Sequence, residues 1–123
     1  HHWVLKQLKK GVDVILEIDW QGARQIRQLF PSTVSIFILP PSSQVLQERL
    51  HHRKQDSEAV ITARMKEAVS EMAHCHEFDY LVVNDVFEDA LADMAHIIQA
   101  ERLRSDRQRI VHADLLADLL EKQ

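Results

Sequence analysis

The chain has 123 residues, 46% of them hydrophobic and 28% charged, a balance typical of a folded globular domain rather than a disordered or fibrous chain. Its formal net charge of −4 gives no general attraction to nucleic acid or to an anionic membrane, so we expect neither partner, and any anion site has to be built locally. The single cysteine, Cys75, excludes an internal disulfide framework and favours a cytoplasmic protein. No apolar run approaches the ~18 residues of a membrane-spanning helix.

The chain begins inside a helical pattern. Residues 3–8 are predicted to end a helix that a basic last turn and Gly11 close. His1 and His2 are compatible with a shortened tag, with native residues, or with a longer chain cut at this point. The lack of an initiator methionine favours a fragment or a processed chain.

Three short apolar runs predict buried β-strands, and each is followed by a helical pattern. The runs cover residues 12–19, 34–39 and 80–84. This alternation predicts an α/β fold with a parallel sheet. Oligomeric state is left open, with a homo-oligomer as one possibility.

Helices are predicted after each strand. One covers Gly22 to Leu29, and a second runs from Ser42 to about Arg53 with a serine as its N-cap. The longest middle helix should start at Asp56 or Ser57 and run to about His76, with a buried stripe of Ile61, Met65, Ala68 and Met72. After the third strand, Asp85 and Glu88 have the spacing of a capping box that would begin the next helix.

Two carboxylates lie near the end of the first predicted strand. If residues 12–19 form a strand, Glu17 and Asp19 point to the same side of it. Strand carboxyl ends form the ligand crevice of an open parallel sheet, and paired acids there suit a hydrated Mg²⁺ or the N–H edge of a purine. The alternative is a strand that ends in solvent and carries acids for solubility.

Three arginines have a spacing that suits an anion. Arg49 and Arg53 are four residues apart and would share a helix face, and Arg64 follows after a short loop. Guanidinium groups stabilise the charge that spreads over a phosphoryl group during transfer. The alternative is that they are surface arginines paired with neighbouring glutamates, which would contribute only ~0–1 kcal/mol each.

Asn84 stands at the carboxyl end of the third predicted strand. Its amide can read a base edge through both a donor and an acceptor, or it can cap the helix that follows. The runs His51-His52 and His74-Cys75-His76 do not have the spacing of a zinc site, so we expect no bound zinc.

Four segments resemble, in order and spacing, the successive motifs of guanylate kinases. They are VILEIDWQGA at 14–23, SIFILPPS at 35–42, RLHHRKQDSEAVITARM at 49–65 and YLVVND at 80–85. The resemblance implies a P-loop kinase fold of three α/β/α layers, transfer of phosphate from ATP to GMP, and Mg²⁺ bound with the ATP.

The resemblance also implies a role for each candidate residue. Asp19, with Gln21 beside it, would hold the guanine of GMP, and Glu17 would lie near the hydrated Mg²⁺, although the family commonly has aspartate there. Arg49, Arg53 and Arg64 would be the lid arginines that contact the ATP phosphates and stabilise transfer. Asn84 would lie near the adenine.

The phosphate-binding loop of this family is missing from the sequence. No G-x-x-x-x-G-K-[ST] motif occurs, and the only glycines are Gly11 and Gly22. The family sheet places a strand that this chain lacks between residues 12–19 and 34–39. We therefore expect the C-terminal part of a longer kinase, inactive by itself, or a guanylate-kinase-like module that binds other proteins without catalysis.

Within one domain over 1–123, residues 12–39 are predicted to be core strands and a helix. Residues 42–76 would be the lid with its flanking helices, and 80–123 the last core strand and the C-terminal helices.

Overall fold

A computed structural model describes residues 2–51 and 57–121. These ranges contain two β-strands and seven α-helices, with one 3₁₀ turn at Cys75–Glu77. In chain order the elements are α1 (His2–Lys9), α2 (Trp20–Leu29), β1 (Ile36–Leu39), α3 (Ser43–Leu50), α4 (Glu58–Met72), β2 (Tyr80–Val83), α5 (Phe87–Arg102), α6 (Ser105–Val111) and α7 (Ala113–Glu121).

The strands β1 and β2 form a parallel sheet. Ile36 lies opposite Tyr80, and Leu39 lies opposite Val83. The pairing continues past the carboxyl ends, because the Asn84 N–H donates to the Leu39 carbonyl at 2.8 Å. The predicted α/β class and parallel sheet are confirmed.

Residues 12–19 are not a strand, so this prediction is wrong for the described structure. The segment has no ladder partner among the described residues, and Ile15 in it is 79% exposed. An extended segment becomes a strand only when a neighbour satisfies its backbone groups. The resemblance assigns that neighbour to a strand outside these 123 residues, which explains the difference.

Serine caps begin two helices as the sequence predicts. The Ser42 hydroxyl accepts from the Val45 N–H at 3.1 Å, and the Ser57 hydroxyl accepts from the Val60 N–H at 3.3 Å. Ser57 is therefore the N-cap of α4, while Asp56 lies outside the described residues. The buried stripe of α4 is also present, with Ile61 buried and Met65, Ala68 and Met72 half-buried.

Three predicted helix boundaries are wrong. The helix α3 ends at Leu50 rather than near Arg53, and α4 ends at Met72, where a 3₁₀ turn takes over before β2. The predicted capping box is absent, because the N-cap of α5 is Val86, which makes no side-chain cap. Asp85 lies one residue too early to bond with the first-turn N–H groups.

The core of the described chain is thin. Its buried hydrophobic side chains are Ala23, Ile61, Val82 and Ala90, and Ser35 is buried with them. Val82 is 3% exposed, whereas Leu81 and Val83 on either side of it are each 51% exposed. Successive strand residues face opposite sides, so one face of β2 is packed, with α5 in contact with the strand, and the other is open. No helix in the described part of the chain is long and apolar enough to cross a membrane.

The amino end of the sheet is closed by polar contacts. The Ser35 N–H and hydroxyl both donate to Asp79 Oδ2, at 2.9 and 3.1 Å, and the Asp79 N–H donates back to the Ser35 hydroxyl at 3.1 Å. Next to this pair, the Tyr80 hydroxyl donates to Glu101 at the end of α5. This hydrogen bond raises the pKa of Tyr80 above 10.0, and burial acts in the same direction.

Replacing Glu101 with alanine should lower the pKa of Tyr80 towards 10.0, because the phenol loses the carboxylate that favours its protonated form. Tyr80 is the only tyrosine, so ultraviolet absorbance of tyrosinate reports it without ambiguity. Glu88→Ala, at the other end of α5, is the control and should leave the titration unchanged. Identical titration curves for Glu101→Ala and the unsubstituted chain would contradict the contact.

Candidate functional site

Asp19 occupies the N-cap of α2, just before the helix begins. Its Oδ1 accepts a hydrogen bond from the Gly22 N–H at 2.7 Å, which satisfies one of the unpaired first-turn donors. Among the described residues, Oδ2 has no partner, and the residue is exposed. One carboxylate oxygen is thus committed to the helix and the other remains available to a ligand.

Gly22 allows this cap to form at close range. A Cβ added there would lie 3.1 Å from Asp19 Oδ1 and 3.3 Å from the Ile18 Cβ, distances tighter than nine in ten real Cβ contacts. A side chain at this position would therefore push against the capping carboxylate. The glycine therefore makes room for the Asp19 side chain at the start of the helix.

A second carboxylate reaches the same helix end from α4. Glu71 Oε2 accepts from the Trp20 N–H at 3.3 Å, which joins the first residue of α2 to the last turn of α4. The indole of Trp20 also stacks on the His74 ring, with centroids 3.5 Å apart and planes 7° from parallel. Trp20 is thus held to Glu71, 51 positions away in the sequence, and to His74, 54 positions away.

Glu77 gathers the charged groups around this contact. Its two oxygens accept from Arg24 Nε and Nη2 at 3.1 and 2.7 Å, His74 Nδ1 lies 2.6 Å from Oε2, and Arg27 Nη2 lies 3.5 Å from Oε1. The hydrogen bond with His74, followed by that with Arg24, lowers the pKa of Glu77 below 4.5. Arg24 additionally lies over the Trp20 ring, 4.8 Å from its centroid.

The three predicted catalytic arginines are only partly described. Arg49 is in the last turn of α3 and exposed, and Arg64 is half-buried on α4, which packs against α3. Arg53 lies outside the described residues. The predicted helix face shared by Arg49 and Arg53 therefore falls partly outside the described residues, and α3 itself ends at Leu50.

Glu17 and Gln21 flank Asp19, and both are exposed. The prediction that Glu17 and Asp19 share a face rested on strand alternation, and that premise is wrong because their segment is not a strand. The described residues contain no group of three or more metal-ligating side chains. An exposed carboxylate such as Glu17 nevertheless fits Mg²⁺ held through its own water shell, which that ion dehydrates reluctantly.

Asn84 lies at the carboxyl edge of the sheet, half-buried, with its backbone bonded to β1. The alternative that its side chain caps α5 is wrong, since Val86 is the N-cap and no side chain caps that helix. Its amide therefore stays a candidate for contact with a base, at the edge where parallel sheets bind ligands.

Sequence reasoning missed the cluster of Trp20, Arg24, Glu71, His74 and Glu77. The sequence pattern around His74 suggested only a zinc site, for which the spacing is wrong. The i, i+3 spacing of His74 and Glu77 was the one local signal available. Their contact with α2 depends on the tertiary fold, which no spacing in the sequence encodes.

Comparison with known proteins gives one consistent result. A sequence model of the family described as guanylate kinase matches residues 2–101. A guanylate kinase of Coxiella burnetii is 61% identical over 98% of this chain and 59% of its own length, and that of Photobacterium profundum is 53% identical over 98% and 58%. The crystal structure of guanylate kinase from Anaplasma phagocytophilum superposes with a TM-score of 0.71 at 31% identity, covering 89% of this chain and 54% of that one.

Replacing Glu77 with glutamine should make the free energy of unfolding fall less steeply with decreasing pH below about 4.5. A carboxylate whose folded pKa is lowered adds stability that is fully present above its unfolded pKa of about 4.5 and is lost as pH falls through the folded value. Urea unfolding at a series of pH values should therefore show the unsubstituted chain losing stability below that point more steeply than Glu77→Gln.

Glu67→Gln removes an exposed carboxylate from α4 and is the matched control, so its slope should equal that of the unsubstituted chain. If Glu77→Gln and the unsubstituted chain lose stability in parallel, the ion cluster does not exist in solution.

Proposed function

The chain belongs to the guanylate kinase family, and we propose that its residues form the base-binding wall and the phosphate-binding lid of an enzyme that converts ATP and GMP into ADP and GDP. The chain spans 59% of the length of the Coxiella burnetii relative, and the family's phosphate-binding loop is not among its 123 residues. The complete enzyme of this proposal is this chain together with a segment that carries such a loop.

One observation carries the proposal: α4, which bears Arg64, is bonded to the helix end that Asp19 caps. Arg64 and Glu71 are seven residues apart, close to two turns, so they lie on the same face of α4 about 10.5 Å apart along its axis. Glu71 contacts the residue next to Asp19. This arrangement supports a cleft with an acidic wall that includes Asp19 on one side and the Arg64 side chain on the other.

On the acidic wall, Asp19 is proposed to accept hydrogen bonds from the N–H groups of guanine through Oδ2. Gln21, exposed in the first turn of α2, would supply a second polar contact. A carboxylate that accepts base N–H groups would discriminate strongly, because a bound base without those donors would leave the carboxylate unpaired. Asn84 would contact the adenine of ATP at the sheet edge.

On the cationic side, Arg49, Arg53 and Arg64 are proposed to bind the transferred phosphoryl group. Transfer of a phosphoryl group requires charge neutralisation and alignment more than covalent help, and planar guanidinium groups provide both. Closure of the predicted lid, residues 42–76, would exclude water and so suppress hydrolysis of ATP. Mg²⁺ bound with ATP would neutralise its phosphates, and Glu17 would orient one of the metal's waters.

The 123-residue chain alone should not consume ATP in the presence of GMP, because nothing in it supplies the loop that cradles the ATP phosphates. A coupled assay of ADP formation checks this, with the complete enzyme as the positive control. GMP-dependent turnover by the short chain would contradict the assignment of roles. A complete enzyme without turnover or GMP binding would favour the non-catalytic module.

Arg64→Ala in the complete enzyme should lower kcat by about 10²-fold or more, the effect of removing a donor that acts on transition-state charge. Steady-state kinetics checks this. Arg109→Ala, which removes an exposed arginine on α6, is the control and should leave kcat unchanged. An unchanged kcat for Arg64→Ala would remove that residue from the catalytic set.

Replacing Asp19 separates its two roles. Asparagine caps helices as well as aspartate, so Asp19→Asn should keep the unfolding free energy, whereas Asp19→Ala should lose about 1 kcal/mol. Both should weaken GMP binding by roughly 10- to 100-fold, because the charged acceptor is lost. Unfolding and calorimetric GMP titration measure the two effects independently, and unaltered GMP affinity in Asp19→Asn would exclude the base contact.

A further inference from the structure

The polar cluster between α2 and α4 contains none of the proposed substrate-binding residues, yet it joins the helix that Asp19 caps to the helix that bears Arg64. We infer that Glu71 and His74 are positioning residues, which fix the Asp19 carboxylate for GMP by holding the amino end of α2 against α4. The inference rests on the function proposed above and adds to it a pair of residues on the lid side that govern affinity for the base.

Glu71 acts on the peptide bond that joins Asp19 to Trp20. The N–H of Trp20 is one of the first-turn donors that have no partner inside the helix, and Glu71 Oε2 accepts from it at 3.3 Å. A carboxylate at this helix end is also favoured by the helix dipole. Asp19 satisfies the Gly22 N–H and Glu71 satisfies the Trp20 N–H, so the two acids together define where α2 starts.

The Trp20 side chain closes the arrangement into a ring of contacts. Its indole lies between His74, stacked at 3.5 Å, and Arg24, at 4.8 Å. His74 and Arg24 both bind Glu77. Each of these four side chains therefore has two neighbours in the ring, and none can rotate without breaking a contact.

Small movements of this ring would reach the ligand. Asp19 is adjacent to Trp20 in the chain, and only its Oδ1 is held, by a single hydrogen bond. Without Glu71, the first turn of α2 can fray, and the free carboxylate oxygen then samples orientations that do not face the base. Binding of GMP would have to restore the order, which weakens its affinity without changing the residues that touch it.

The test compares KM for GMP with KM for ATP in variants of the complete enzyme. Glu71→Ala should raise KM for GMP about tenfold, which corresponds to about 1.4 kcal/mol, while KM for ATP stays within about twofold. Glu71→Gln retains an acceptor for the Trp20 N–H and should restore KM for GMP to within about threefold of the unsubstituted value. A purely structural role would lower the active fraction, and hence kcat, without moving either KM.

Glu67→Ala is the matched control, since Glu67 is the same residue type one turn earlier on α4 and is exposed. It should change no constant. Equal values of KM for GMP in Glu71→Ala and Glu67→Ala would overturn the inference, and so would a failure of Glu71→Gln to recover. An unsubstituted enzyme without GMP-dependent turnover would instead overturn the proposed function. Failure of the inference and failure of the proposed function therefore give different results.

The stacked pair offers a second measurement if Glu71→Ala does not fold. With Trp3 replaced by phenylalanine, Trp20 is the only tryptophan of these 123 residues. Once any tryptophan in the rest of the complete enzyme is replaced in the same way, the emission reports the ring that covers Trp20. His74→Ala should change that emission and raise KM for GMP severalfold, whereas His74→Phe keeps an aromatic partner and should do less on both counts. Unchanged emission and unchanged KM in His74→Ala would exclude the role of His74.

Discussion

The unpaired N–H groups at the start of α2 are the constraint on which the site depends. A helix end inside a folded domain needs acceptors, and here two carboxylates provide them: Asp19, the preceding residue, and Glu71, from another helix. Two acids would repel each other in isolation, but the helix dipole favours both. The need to satisfy the backbone thus holds two carboxylates at the start of α2 and places α4, the helix that bears Arg64, beside it.

The thin core makes these polar contacts more important than they would be in a larger domain. A two-stranded sheet is marginal by itself, and one face of β2 leaves Leu81 and Val83 half-exposed. The long-range contacts of the described chain include the β1–β2 pairing, the Ser35–Asp79 pair at one end of it and the α2–α4 cluster. The exposed apolar surface accords with a chain that spans 59% of a relative of the same family.

Local signals in the sequence predicted the elements that depend on local physics. Serine caps and the apolar stripe of α4 are set by residues within a turn or two, and they are confirmed. The two short strands are also confirmed, and each finds its pairing partner within the chain. The strand predicted over residues 12–19 is wrong because a strand needs a second segment to pair with, and an apolar run identifies only one of the two segments. The predicted capping box of α5 is wrong by one residue, because the helix begins one position later than the spacing of Asp85 and Glu88 requires. The sequence alone does not fix the position at which the helix begins after the strand.

The candidate site shows the same division between local and tertiary information. The resemblance identified Asp19 by its motif, but the motif gives no reason for aspartate beyond the ligand, whereas the structure adds a helix cap through Oδ1. The proposed base contact would add a second constraint to the cap, because the cap alone accepts Asn, Ser or Thr, whereas a base N–H pair favours a carboxylate. Aspartate would meet both requirements because one oxygen can cap the helix while the other binds the base. The cap also requires glycine at position 22, since a Cβ there would lie 3.1 Å from Asp19 Oδ1.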